Sequence, residues 1–135
     1  MTDFRAEIDD ISSADAAWTA RSNGQAVTVS EPVSVGGSDD ALTPEHLFAL
    51  SLLNCYVATF RVIAEKSDLT YKSVKASITT TLDTDTTPPL KEATITLTYH
   101  GEDDAKTKHV ARKARDHCYV HQSVRTDITI SFNHV

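Results

Sequence analysis

Apolar and polar residues alternate with a period of two in several stretches of this chain, and between them the period changes to that of a long helix. "FRAEIDDIS" (4–12) sets Phe4, Ala6 and Ile8 against charged neighbours, which predicts a half-buried strand. In "AAWTARSNGQAVTVSE" (16–31), Asn23-Gly24 separates two strand-like runs. Both residue types accept the positive φ of a type I′ turn, so a hairpin is expected. "PVSVGGSDDAL" (32–42) reads as a loop.

At "TPEHLFALSLLNCYV" (43–57) the period changes. Thr43 can cap a helix, Pro44 suits its first position because it has no N–H to lose, and Glu45 meets the positive end of the dipole. The spacing predicts a helix to about Lys66. Leu47, Phe48, Leu50, Leu52, Leu53, Val57, Phe60 and Ile63 surround its axis, so a central helix is expected rather than a surface one.

"SVKASITTTL" (73–82) puts Val74, Ala76, Ile78, Thr80 and Leu82 on one side of a strand. "KEATITLTYH" (91–100) does the same with Ala93, Ile95, Leu97 and Tyr99, and Pro88-Pro89 ends the connection between the two. An antiparallel hairpin with a long loop follows. "DDAKTKHVARKARDHC" (103–118) returns to helical spacing with Val110, Ala114 and Cys118 in one row. "TDITISFNHV" (126–135) closes on alternating Ile128, Ile130 and Phe132. The expected order is βββαββαβ, a single α+β domain over 1–135 with a long helix packed on antiparallel sheet.

The 135 residues are enough to bury a core, and 40% hydrophobic with 24% charged is an ordinary globular composition. A net charge of −6 excludes a general nucleic-acid binder, which needs a basic footprint. The basic residues of Lys106–Arg115 sit among acids such as Asp103, Asp104 and Asp116 and read as a solvated helix face. "MTDFRAEIDD" has no signal-peptide character, and uninterrupted apolar stretches fall short of a membrane span, so a cytoplasmic protein without a membrane role is expected. In such a compartment the two cysteines, Cys55 and Cys118, are either inert or redox-active rather than a permanent structural bridge.

A thiol in mid-helix has no dipole to lower its pKa, so an active Cys55 needs a cation nearby. Arg21, beside the Asn23-Gly24 turn, is the best candidate, against the plainer reading of a solvent-exposed hairpin charge. Glu45 is either an ordinary first-turn acid or a site residue. Ten positions separate it from Cys55, roughly 15 Å along a helix, so a shared site takes Glu45 from a second copy of the chain unless the helix bends. Cys118 is another buried thiol unless it quenches a sulfenic acid on Cys55. His117 and His121 stand four apart around it, half of a zinc site, but no fourth ligand is near; surface histidines are the plainer reading and no metal is expected.

Together "TPEHLFALSLLNCYV" and "RDHCYVHQSVRTDITISFNH" resemble the OsmC/Ohr family, the osmotically inducible and organic hydroperoxide resistance proteins. Thr43, Pro44, Glu45, Leu47 and Cys55 stand at the places of the family's helix start, Cys118 at its second cysteine, and Arg21 at its hairpin arginine. Where the family has proline and then a small polar residue after the second cysteine, this chain has Tyr119 and His121; before the first cysteine it has Asn54. The resemblance implies an intertwined homodimer and a thiol-dependent peroxidase acting on organic hydroperoxides. In it Cys55 attacks, Cys118 resolves to a disulfide, Arg21 stabilises the thiolate and Glu45 holds Arg21. An external dithiol completes the cycle, with no cofactor; Leu52 or Phe48 would line the substrate pocket. Two other readings stay open: a non-catalytic module binding a small apolar ligand at the dimer interface, and a cysteine hydrolase using Cys118 with His117 or His121.

Overall fold

Asn23 and Gly24 both take positive φ, 51° and 72°, and turn the chain back on itself as the sequence requires. The computed structural model describes residues 1–135, in two units, residues 1–48 and 49–135.

In the first unit the turn joins β2 (Trp18–Ser22) to β3 (Gln25–Val29), antiparallel from Trp18↔Val29 to Ser22↔Gln25. A third strand, β1 (Glu7–Ile8), lies on the other edge of β2. It is far shorter than the expected 4–12. Phe4 is 91% exposed and Ile8 55%, so the alternation there has no buried face to hold it in a sheet. A short 3-10 turn, Val33–Val35, follows. The unit ends in the entry to the long helix, α1 (Pro44–Lys66). Thr43 Oγ1 accepts from the backbone N–H of His46 at 3.2 Å, while His46 Nδ1 accepts from that of Thr43 at 3.0 Å. This reciprocal cap uses histidine where glutamate or glutamine is usual.

In the second unit β4 (Ser73–Thr80) pairs antiparallel with β5 (Glu92–His100), the expected long-looped hairpin. The last strand, β6 (Asp127–His134), lies parallel to β5, with Glu92↔Asp127 through Tyr99↔His134. The sheet is therefore mixed rather than antiparallel. A parallel neighbour requires a crossover, supplied here by α2 (Asp104–His117) and the one-turn α3 (Tyr119–Gln122). Asp103 caps α2, its side chain accepting from Lys106 N–H at 2.9 Å.

The core of this unit is one cluster. Tyr56, Phe60 and Ala64 of α1 meet Ile95, Leu97 and Tyr99 of β5 and Val110, Ala111 and Ala114 of α2. Tyr56 donates its hydroxyl to the Ala111 carbonyl at 3.1 Å, so its polar tip is satisfied where it is buried. Burial on α1 is confined to one stripe, Leu52, Tyr56, Phe60 and Ala64. The expected all-round burial does not hold within one chain: Leu50 and Val62 are about half exposed. By length and composition α1 is apolar enough to cross a bilayer, although its uninterrupted apolar stretches are short; Tyr56, Phe60 and Ala64 of its buried stripe pack into the protein core.

Candidate functional site

The backbone leaves helical geometry at Cys118, with φ −76° and ψ 118°, then re-enters a helix at Tyr119. One residue thus serves as the joint between α2 and α3, and its side chain is fully buried. The Cys118 sulfur is bonded to that of Cys55, 63 residues earlier on α1, with the two Cα atoms 6.1 Å apart. Cys55 itself is only half-buried. The two residues therefore differ in access: Cys55 is partly exposed and Cys118 is fully buried.

His121 lies one turn beyond Cys118. Its Nε2–H donates to the Leu52 carbonyl at 3.0 Å, three residues before Cys55. Its ring stacks on Tyr56, the residue after Cys55, with centroids 6.1 Å apart and planes 4° from parallel. Nδ1 is buried and has no hydrogen-bond partner. Burial holds the imidazole pKa below its ordinary value, opposed by the backbone of Leu52 and Arg115, and the charge of Arg115 lowers it further. His121 is thus a packed helix-to-helix contact, not the surface residue expected. The sequence marks it only as one of two histidines flanking Cys118; its burial is not legible, because one turn of helix carries no periodicity. His117 is exposed, its Nδ1 2.8 Å from the Lys113 carbonyl oxygen.

Arg115, half-buried near the end of α2, was also missed. Its Nε donates to Asp116 at 3.0 Å, and its charge is felt at both Tyr56 and His121. Burial is the larger influence on the Tyr56 phenol and pushes its pKa up. The expected pocket wall needs correction at Leu52, which is fully buried; its contribution to this site is a backbone carbonyl.

Arg21 belongs to the first unit. Its guanidinium grips Asp9, Nε on Oδ1 at 3.0 Å and Nη2 on Oδ2 at 3.0 Å. Those hydrogen bonds hold the Asp9 carboxyl below its ordinary pKa. Glu45, half-buried in the first turn of α1, makes no ion pair, so within one chain the residue that holds Arg21 is Asp9. No group of three or more His, Cys, Asp or Glu side chains is disposed to hold a metal ion.

A partly accessible thiol joined to a buried one across two helices is a thiol–disulfide couple in form. Residues 37–133 match the family model of OsmC-like proteins. This chain belongs to the OsmC family. No curated protein matches its sequence. An OsmC-like protein of Vibrio cholerae, of unknown function, superposes with a TM-score of 0.83 at 17% identity, over 98% of this chain and 99% of that one. The organic hydroperoxide resistance protein OsmC of Legionella pneumophila gives 0.77 at 15% identity, over 99% and 97%. OhrB of Bacillus subtilis, an organic hydroperoxide resistance protein, gives 0.67 at 14%, over 99% and 98%. At these identities the likeness establishes the α+β OsmC fold. In this OsmC-family chain the cysteine pair supports a redox role.

Proposed function

We propose that the protein is a thiol-dependent peroxidase that reduces organic hydroperoxides. The observation that carries this reading is the Cys55–Cys118 disulfide and its asymmetry of access. A peroxidatic sulfur has to meet substrate; a resolving sulfur has only to meet the first. The structural relatives described as organic hydroperoxide resistance proteins support the choice of substrate class.

In the cycle the Cys55 thiolate attacks the outer oxygen of the hydroperoxide. The O–O bond breaks, the inner oxygen leaves with a proton as an alcohol, and Cys55 becomes a sulfenic acid. The Cys118 sulfur then displaces that hydroxyl as water and the disulfide forms. An external dithiol returns two electrons and two protons. No metal or organic cofactor takes part. Arg21 stabilises the thiolate, held by Glu45 after it exchanges Asp9. The unbroken α1 leads us to assign Glu45 to a site on a second copy of the chain, in a homodimer working in a reducing compartment such as the cytoplasm.

Titration of free thiols in the reduced protein with cumene hydroperoxide tests the reading. Two thiols should disappear per chain, and none in Cys55→Ser. Thiols that survive the peroxide in the wild type would overturn it.

A further inference from the structure

His121 and Cys118 both reach from the crossover to α1, and they do so in register. Cys118 meets Cys55; three residues later on α3, His121 meets Leu52, three residues earlier on α1. The hydrogen bond therefore ties α3 to α1 within one helical turn of the disulfide. The Tyr56 ring, stacked on that of His121, adds an aromatic contact between the same two helices. A helix of one turn has no stability of its own, so α3 must be held by what it touches. When the disulfide is intact, the covalent bond does this. When it is open, the His121–Leu52 bond is the remaining polar tie between α3 and α1.

We propose that His121 is a positioning residue of the cysteine pair: it keeps Cys118 docked against Cys55 while both are thiols. The effect is one of effective concentration, since a sulfur held in place closes onto its partner without first losing freedom of its backbone. The inference rests on the reading of the pair as a redox couple, but it needs no peroxide.

The test is the thiol–disulfide equilibrium with glutathione. Two glutathiones give up two electrons and two protons to the disulfide, yielding two protein thiols and one glutathione disulfide. His121→Phe keeps a ring to stack on Tyr56 and removes the donor; His121→Gln keeps a donor near the place of Nε2. H121F should make the protein disulfide about threefold to tenfold easier to reduce, the range expected of one net hydrogen bond, whereas H121Q stays within about twofold of wild type. A tie equally strong in both redox states would leave the equilibrium unmoved in H121F, and that result would overturn the proposal. So would an H121Q shift as large as that of H121F. Hydrogen exchange on the wild type supplies a second reading that depends on no variant. The Gln122 and Ser123 amides, bonded to the Cys118 and Val120 carbonyls, should keep their protection after reduction. Loss of that protection would refute docking by His121. If peroxide leaves the thiols intact while H121F still shifts the glutathione equilibrium, the peroxidase reading fails and this one stands.

Discussion

Arg21 and Asp9 share a two-pronged ion pair whose members are still 54% and 45% exposed. A pair this open to water is weak and readily exchanged. If Arg21 serves the Cys55 thiolate, Asp9 is its competitor. The pH midpoint of Cys55 alkylation in the reduced protein should lie well below the ~8.5 of a free thiol. Arg21→Met should carry it back toward that value, and Asp9→Asn should leave it unchanged or lower it. Arg115→Met is the internal comparison: a midpoint that responds to Arg115 and ignores Arg21 would transfer the role to the cation on α2.

Reduction should weaken the fold measurably. The bridge spans 63 residues, and closing a loop of that size in the unfolded chain is worth about 4 kcal/mol. Urea unfolding of oxidised and reduced protein at pH 7 gives the difference directly. A change below about 1 kcal/mol would mean that the reduced unfolded state is already compact.

His121 gives stability a sign in the acid range. Its pKa is lowered in the fold, chiefly by burial, and lies near ~6.5 when the chain unfolds. The unfolded state therefore binds the proton first. Stability present above pH 6.5 is lost as pH falls from there toward the folded pKa, and the slope flattens once the ring is charged in both states. Urea unfolding between pH 7.5 and 5 should show that decline in the wild type, with a flatter profile in His121→Gln.

Phe60 is fully buried in the cluster shared by α1, α2 and β5. Phe60→Ala should cost about 3–5 kcal/mol through lost transfer energy and the cavity left behind. Tyr56→Phe keeps the ring and removes only its bond to Ala111, so about 1 kcal/mol is expected. Equal costs for the two would show that the polar tip matters as much as packing.

Sharing of sites between chains can be examined by mixing. Cys55→Ser and Glu45→Gln chains should each be poor peroxidases alone. A heterodimer of them regains one site in which intact Cys55 meets intact Glu45 from the partner. Absence of any recovery after refolding the mixture would place Glu45 outside the site.

Where apolar periodicity meets a buried face, the sequence was readable almost to the residue. Pro44 and Lys66 bound α1 as its cap and spacing implied, and Ala93, Ile95, Leu97 and Tyr99 are the buried side of β5. Alternation does not encode direction, however, so Ile128, Ile130 and Phe132 are compatible with either pairing, and the parallel β5–β6 ladder was missed. The hairpin at Asn23-Gly24 followed from local torsions alone. The cysteines were visible as chemistry, and their bond was implied by the family resemblance rather than by their spacing. Asp9 and Arg115 escaped, and His121 was misplaced on the surface, for a common reason: each acts through a contact made only by the folded chain.

Because β5 and β6 point the same way, the chain must travel back along the sheet between them, and Cys118 is the corner of that return path. Both arms of the corner are anchored, one by the α2 core and the other by eight residues of ladder. Electrons arriving at the sulfurs can therefore loosen a hinge without letting the loop swing away. On the peroxidase reading, the change of oxidation state stays at that corner, with the sheet left blind to it.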